Sequence, residues 1–149
     1  MKLNVVLDEG AVMPTKAHDS DAGFDLYSRE DKIVPTSQSD FAPLLHNGGF
    51  ATFDTGVHIE IPKGYVGFLK SKSGLNVKHN ITSEGVIDAG YTGSIVVKLY
   101  NHGKSLYRVS KGDKITQLVI LPIPEVELEQ VDKLGDSDRG DNGFGSSGR

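Results

Sequence analysis

Short runs in which apolar and polar residues alternate constrain this fold more than any other feature of the sequence. In Val57–Ile61 and Ile95–Leu99 every second residue is apolar, which is the pattern of a half-buried β-strand. Many short strands of this kind predict a sandwich, a jelly roll or a barrel. Further strands are predicted at Val5–Leu7, Phe50–Phe53, Tyr65–Leu69, Ile115–Leu121 and Val126–Leu128.

A helix is predicted at one place only. No stretch carries the i, i+3, i+4, i+7 apolar rhythm over several turns. The segment Ser73–Asn80 can form a short helix, and Ser73 is expected to cap its N-terminus. The 18 glycines among 149 residues fit a chain with many turns.

The composition limits the chemistry and the partners. A chain of 149 residues can bury the core of one domain. It has no Cys, which excludes disulfides, thiolate nucleophiles and Cys-ligated metals. The net charge of −4 disfavours nucleic acid as a partner. Because no membrane-spanning run or secretion signal is recognised, we expect a soluble, cytoplasmic protein with no nucleic acid and no membrane among its partners.

Five motifs are more specific than a scaffold requires. Any one of them could occur by chance, but five in register are a strong signal. Their order and spacing resemble the trimeric dUTPases, the deoxyuridine triphosphate nucleotidohydrolases, from about residue 20 to the C-terminus. The motifs are Ala22–Ser28, Lys72–Leu75, Gly85–Tyr91 with Gly93, Gly112–Leu118 and Arg139–Gly148.

The resemblance implies an all-β fold, a distorted, jelly-roll-like antiparallel β-barrel (the dUTPase β-clip) over residues 1–134 that forms a homotrimer. It also implies a flexible Gly-rich tail over residues 135–149 that closes over the active site of a neighbouring subunit. In this family each active site draws on three subunits. From composition alone the tail is an ordinary disordered end, because Phe144 is its only large apolar residue.

The activity that the resemblance implies is Mg²⁺-assisted hydrolysis of dUTP to dUMP and pyrophosphate by attack of water on the α-phosphate. Asp88 is expected to orient and deprotonate that water, since a carboxylate can accept its proton. Taken alone, an Asp in a tight turn more often accepts turn amides. Gln117 is expected to hydrogen-bond near the α-phosphate and the water, although a solvent-facing strand residue is an equal alternative.

The resemblance assigns base and sugar recognition to one hairpin. Main-chain groups of Gly85, Val86 and Ile87 are expected to bind the edge of uracil and to leave buried groups unpaired with cytosine. Tyr91 is expected to lie under the deoxyribose and leave no room for a ribose hydroxyl. Without the resemblance, Tyr91 is equally a half-buried hairpin aromatic.

Lys72, Ser73 and Gly74 are expected to bind the α- and β-phosphates, since amides at a helix start favour an anion. The family usually has Arg where this chain has Lys72, so a point charge replaces a bidentate fork. A solvated turn is the alternative. Asp25 is expected to reach Mg²⁺ only through water, because Mg²⁺ keeps several waters and is held mainly by phosphates. Its alternative is a hydrogen-bonded residue at a strand start.

The tail is expected to complete the substrate site. Closure would expel water and surround the triphosphate with positive charge. By resemblance Arg139, Ser146 and Ser147 bind the γ-phosphate, Phe144 stacks on uracil, and Gly145 belongs to the same binding segment.

Two other functions are open at this stage. A dCTP deaminase, alone or bifunctional with dUTPase, shares the fold but needs a glutamate near the hairpin, where this chain has Ser94 while Glu84 lies on the other side of Asp88. A nucleotide-gated regulatory binding protein is the second. The five scattered histidines do not suggest a metal site, and Asp40–Gly49 is expected to be a surface loop or a flap that contacts the trimer partner.

Overall fold

The computed structural model describes residues 1–36, 49–138 and 140–141. Its elements are almost all strands, and every strand pair is antiparallel. The predicted antiparallel all-β fold is therefore confirmed. In chain order the elements are β1 (Val5–Leu7), β2 (Gly23–Tyr27), β3 (Lys32–Val34), β4 (Phe50–Asp54), β5 (Val57–Ile59), β6 (Tyr65–Lys70), α1 (Ser73–His79), β7 (Ile81–Ile87), β8 (Val96–Asn101), β9 (Tyr107–Val109) and β10 (Lys114–Pro122).

One six-stranded sheet carries most of the predicted motifs. Its strand order is β2-β10-β6-β7-β8-β4, and two smaller sheets pair β1 with β5 and β3 with β9. The nine-residue strand β10 pairs with β2 on one side and β6 on the other, so Gln117 lies opposite both Asp25 and Lys70. Residues far apart in sequence thus become neighbours across three strands.

The core lies beneath the alternating faces of the strands. In β4, Ala51 and Phe53 are buried and their neighbours are exposed or half-buried, and in β8 the same holds for Val97 and Leu99. Burying each large side chain contributes roughly 1.5–3 kcal/mol. Within the described residues every buried side-chain nitrogen or oxygen has a hydrogen-bond partner. The largest fully buried side chains are Phe53, Leu26, Ile61, Ile81, Ile95, Leu99, Ile115 and Leu118.

The strand predicted at Val126–Leu128 is wrong. The chain is not in a strand there, and Leu128 is 99 % exposed. The alternation is present, but in the described part of the chain no strand lies beside this segment to accept its hydrogen bonds and cover its apolar face.

The predicted helix is present, but the prediction of Ser73 as its N-cap is wrong. The helix starts one residue earlier than that prediction requires, so Lys72 occupies the cap with an extended backbone and no side-chain capping bond. At the other end Asn80 adopts the left-handed conformation, φ 56°, and closes the helix. This seven-residue helix is the only one in the described ranges and is too short to cross a membrane.

Candidate active site

The predicted site residues lie at two opposite ends of the β6–β7 strand pair. At one end Lys70 pairs with Glu84, and at the other Gly67 pairs with Ile87. Asp88 follows Ile87, so it lies level with Val66, whereas the turn into α1 follows Lys70. The level of Val66 and the turn after Lys70 are five residues apart along the extended chain, a distance of about 17 Å. One copy of the chain does not bring Asp88 to the helix start.

The first end holds a group that we call the lysine cluster, with Asp25 at its centre. Asp25 is 6 % exposed, and each of its carboxylate oxygens has an ammonium partner. Lys72 makes a close ion pair with Oδ1, and Lys114 Nζ lies 2.8 Å from Oδ2. The cluster consists of Asp25, Lys72, Lys114 and Gln117.

The two lysines keep Asp25 ionised. Burial alone would raise the pKa of Asp25, but hydrogen bonds from Lys114 and Lys72, together with their charges, outweigh it and hold the pKa below its ordinary value. The hydrogen bond to Asp25 in turn raises the pKa of Lys114. Three fixed charges with a net positive sign therefore lie beside the start of α1.

Lys114 is a member of the cluster to which the sequence analysis assigned no role. In a regular strand Lys114 and Gln117, three residues apart, would face opposite sides. A bulge in β10 between Lys114 and Thr116 shifts the register by one residue, which reverses the alternation. Both side chains then share the face of Asp25. The only sequence signal was the position of Lys114 inside the fourth motif.

The turn that carries Lys72 is fastened to two strands. The hydroxyl of Ser71 accepts a 2.9 Å bond from the Ser83 amide and donates a 3.1 Å bond to the Ser83 carbonyl. On its other side, Nε2 of Gln117 donates to the Ser71 carbonyl oxygen at 3.1 Å. Gln117 thus holds this turn in place.

The start of α1 presents free amide groups next to this charge. The first bond of the helix runs from the Asn76 amide to the Lys72 carbonyl, so the amides of residues 73–75 have no partner in the described part of the chain. Ser73 and Gly74 are exposed there. Free amides beside lysines can bind an anion such as a phosphate.

The second end is the hairpin loop, residues 88–95, between β7 and β8. The Tyr91 amide donates to the Asp88 carbonyl at 3.1 Å, and Gly90 has φ 86°, as a type II turn requires. The Asp88 side chain is exposed, and its carboxylate accepts no hydrogen bond and makes no ion pair within residues 1–36, 49–138 and 140–141. It is therefore not the amide-accepting Asp that turn statistics favour.

Tyr91 folds back over its own loop. Its hydroxyl donates to the Ser94 carbonyl at 3.0 Å, and its ring lies against Gly93. A Cβ at position 93 would be 2.5 Å from the Tyr91 hydroxyl oxygen, so this ring position requires glycine there. The ring remains 46 % exposed and can present a face to a ligand.

Beside the hairpin loop, β7 and β8 separate. They pair only from Ile81 to Ser83, whereas β8 pairs with β4 on its other edge from Val96 to Tyr100. Residues 84–87 of β7 keep β6 as their partner on one side and have no strand on the other in the described chain. Their outward amides and carbonyls, which include groups of the Gly85–Ile87 stretch predicted to bind uracil, have no strand partner among the residues that the structure describes.

Comparison with known proteins decides which family this arrangement belongs to. The family model for dUTPase matches residues 9–148. The chain belongs to the dUTPase family. It is 41 % identical to the deoxyuridine 5′-triphosphate nucleotidohydrolase of Gloeothece citriformis, with 99 % of this chain and 97 % of the relative covered. It is 43 % identical to that of Clostridium tetani, with 97 % and 94 % covered. The dUTPase predicted from the five motifs is confirmed.

Solved dUTPases share the fold over nearly the whole chain. The dUTPase of Staphylococcus bacteriophage 80alpha with dUPNHPP superposes with a TM-score of 0.85, 34 % identity and 99 % coverage of both chains. A mutant dUTPase from phage phi11 of Staphylococcus aureus, which coordinates a structural Mg(II) ion, gives a TM-score of 0.77 at 30 % identity and covers 91 % of this chain and 100 % of its own. The predicted jelly-roll-like dUTPase fold is confirmed.

Within the described residues of this chain no three His, Asp or Glu side chains come together as a metal site. Asp25 is the one carboxylate of the lysine cluster, and both its oxygens face ammonium groups. This donor set suits contact with a hydrated cation, not direct ligation.

The tail residues of the predicted site lie outside the described residues. They are Arg139, Phe144, Gly145, Ser146 and Ser147. Most of the predicted surface loop Asp40–Gly49 also lies outside them; Gly49 is described and buried.

Proposed function

We propose that the chain hydrolyses dUTP to dUMP and pyrophosphate in sites built from more than one copy of itself, as a cytoplasmic homotrimer. This activity would limit uracil in DNA and supply dUMP. The separation of about 17 Å between the levels of Asp88 and the helix start carries the proposal. A triphosphate bound at the lysine cluster of one copy needs the hairpin loop of another to supply its base and sugar contacts.

The reaction is a displacement at the α-phosphorus. Asp88 accepts a proton from a water molecule as the oxygen of that water bonds to phosphorus, and the bond to the pyrophosphate oxygen breaks. The free and exposed carboxylate supports this role, because it has no competing partner in the described residues. Gln117, which holds the turn before α1, would lie close to the α-phosphate and the water.

The α- and β-phosphates would bind where Lys72 adjoins the amides of Ser73 and Gly74. Unpartnered helix amides and a nearby ammonium both favour an anion. Lys72 provides a point charge where the family usually has Arg. Asp25 therefore has a positioning role, because its carboxylate keeps Lys72 and Lys114 on the same face of the sheet.

Mg²⁺ would enter with the triphosphate. Bound to the phosphates, the ion offsets charge that the acidic protein would otherwise repel. Asp25 would contact it only through water, because both of its oxygens already face ammonium groups. Arg139, Ser146 and Ser147 of the tail would bind the γ-phosphate, Phe144 would stack on uracil, and Gly145 would lie between them.

Uracil would be read by the backbone of Gly85, Val86 and Ile87. The separation of β7 from β8 supports this, because it leaves peptide groups of that stretch unpaired. Cytosine would reverse the donor and acceptor and leave buried groups unsatisfied. Tyr91 would lie flat beneath the deoxyribose and exclude a ribose hydroxyl.

The segment after β10 supports assembly. Val126, Leu128 and Leu134 are 73 %, 99 % and 81 % exposed, and apolar side chains spaced along an unpaired segment favour burial against another chain. A second copy is the partner that a shared active site supplies.

Neither alternative function is favoured. A deaminase needs an acid beside the hairpin, but Ser94 occupies the loop and Glu84 lies 3.5 Å from Lys70 on the strand. No observation on this chain favours a purely regulatory role. A panel of dUTP, dCTP, dTTP and UTP with Mg²⁺, scored for pyrophosphate and ammonia, tests all three: only dUTP should react, and only pyrophosphate should appear.

A mixing experiment tests the shared site. Asp88→Asn and Lys72→Met should each be nearly inactive alone. After dissociation and joint reassembly in equal amounts, about a quarter of the sites should regain both wild-type residues from different copies. Lys78→Met, on an exposed lysine of the same helix, should stay active and serves as the control. Activity no greater than the sum of the parents would show that Asp88 and Lys72 act within one chain.

A further inference from the structure

A network of charged side chains connects the hairpin loop to residues at or near β1, β2, β4 and β5. The guanidinium of Arg29, just after β2, binds two carboxylates: Nη2 lies 2.8 Å from Asp54 Oδ2 and Nη1 lies 3.5 Å from Asp8 Oδ2. Its Nε also donates to the Asp54 carbonyl at 3.1 Å. Each carboxylate then makes a connection toward the loop. We call the group formed by Asp8, Arg29, Asp54 and His58 the Arg29 anchor.

The first connection runs through His58. Its Nδ1 lies 2.7 Å from the Thr92 carbonyl oxygen and its Nε2 lies 3.2 Å from Asp8 Oδ1. Both partners only accept hydrogen bonds, and a neutral imidazole has one N–H. Only the imidazolium satisfies both contacts, so the connection is complete only when His58 is protonated.

The surroundings of His58 favour that form. The hydrogen bond to the Thr92 carbonyl raises the pKa of His58, partial burial opposes it, and the charges of Asp8 and Asp54 add to the rise. Arg29 is the cation of this network and is paired with both carboxylates. Asp8 lies just after β1 and Arg29 just after β2, while Asp54 is the last residue of β4.

The second connection runs through Asp54. Its Oδ1 accepts a close hydrogen bond from the Ser94 hydroxyl and a 3.0 Å bond from the Gly56 amide. The Ser94 carbonyl accepts a hydrogen bond from the Tyr91 hydroxyl. The two connections therefore hold the residues on either side of Gly93, against which the Tyr91 ring lies.

We propose that the Arg29 anchor positions the hairpin loop and, through Tyr91, sets the discrimination between deoxyribose and ribose nucleotides. The inference rests on the role proposed above for Tyr91. The anchor residues are positioning residues that act through the loop. When one connection is lost, the ring can move aside and admit a ribose hydroxyl, while a deoxyribose nucleotide still binds. Discrimination should fall more than dUTP turnover.

The test compares kcat/KM for dUTP and UTP in His58→Phe, which keeps a flat ring but loses both hydrogen bonds. The ratio should fall roughly tenfold, the equivalent of one charge-assisted hydrogen bond. His58→Gln, which can still donate to the Thr92 carbonyl, should recover part of it. His102→Phe, a matched change away from the loop, should leave the ratio unchanged. If His58→Phe does not fold, Ser94→Ala removes the other connection and carries the same test.

The pH dependence of binding separates positioning from a merely structural role. Affinities for dUPNHPP and its ribose counterpart are measured by calorimetry from about pH 5.5 to 8.5, the range in which His changes charge. The quantity compared is the ratio of the affinity for dUPNHPP to that for its ribose counterpart. Because both ligands carry the same phosphates, titration of the phosphates does not affect this ratio. In the wild type it should decrease as pH rises through the raised pKa of His58, and in His58→Phe it should not change with pH.

Two results overturn the proposal: equal losses for both nucleotides, or an unchanged ratio in folded His58→Phe and Ser94→Ala. Failure of the wild type to hydrolyse dUTP would instead refute the proposed function. The binding ratio, measured with ligands that cannot be hydrolysed, would still test the anchor.

Discussion

Asp25 and Asp88, at the two ends of one strand pair, occupy opposite electrostatic surroundings. Asp25 is almost fully buried, with an ammonium on each oxygen. Asp88 is exposed in a turn, and its carboxylate has no partner among the described residues. A carboxylate between two cations keeps its charge and holds other groups, whereas a free one can accept a proton. The difference supports the proposed division of roles, in which Asp25 holds fixed charge and Asp88 accepts a proton.

Asp88→Asn should have the largest effect, because it removes the free carboxylate of this pair. An amide cannot accept the proton of the water, so kcat should fall about 1000-fold, while affinity for dUPNHPP stays within a few-fold. Pyrophosphate release and calorimetry measure the two effects. Asp132→Asn, at an exposed position far along the chain, is the matched control. Near-normal turnover would refute the general-base role.

Deleting residues 139–149 tests whether the lysine cluster can hold the triphosphate without the tail. A folded assembly should remain, with kcat/KM lowered about 100-fold because the phosphates are less well positioned. Removing Arg149 alone should have little effect. Unchanged kinetics in the longer deletion would make the tail an ordinary disordered end.

Asp25→Asn should show that this carboxylate stabilises the fold. The free energy of unfolding should fall by about 2 kcal/mol at neutral pH, a value reduced by the partial exposure of both lysines. Folding lowers the pKa of Asp25 from 3.8, so its contribution is present above that value and is lost as pH falls through the folded pKa.

Urea unfolding at neutral pH and near pH 3 measures that change. The difference between wild type and Asp25→Asn should shrink in acid. Asp136→Asn, which removes an exposed pairing with Lys133 at 3.3 Å, should differ from wild type by less than about 0.5 kcal/mol at both values. A pH-independent difference would contradict the lowered pKa.

Gly93→Ala should have the smallest effect and is specific to the hairpin loop. The new Cβ would push the Tyr91 ring and weaken its bond to Ser94, so KM for dUTP should rise about 2- to 10-fold with kcat nearly constant. Gly135→Ala, which meets nothing within 4 Å, should be silent. A change in kcat without a change in KM would contradict this prediction, because it would show that Gly93 does not act through binding of the substrate.

Alternation or short apolar runs predicted β1, β4, β5, β6, β8 and β10. β2 and β7 also bury core residues, but the sequence analysis did not predict them as strands. β3 and β9 have three residues each and pair only with one another, and neither shows a readable period. The prediction of a strand at Val126–Leu128 failed for a different reason: the segment alternates but has no partner strand in the described chain.

The motifs suggested candidate site residues but did not predict how the described ones are arranged. Lys114 joins Asp25 only because a bulge reverses the alternation in β10. Arg29 pairs with Asp8 and Asp54, which lie 21 and 25 residues away in the sequence. Contacts of this kind depend on tertiary pairing, which local propensity does not contain.

The open edge of β7 has an evolutionary consequence. Peptide groups present the same donors and acceptors whatever side chains they carry, so selectivity built on residues 84–87 would tolerate sequence drift there. Proline would be the exception, because it removes a donor. A lineage could change these side chains freely and keep its choice of base, whereas a one-residue insertion would exchange donors for acceptors along the edge and abolish that choice.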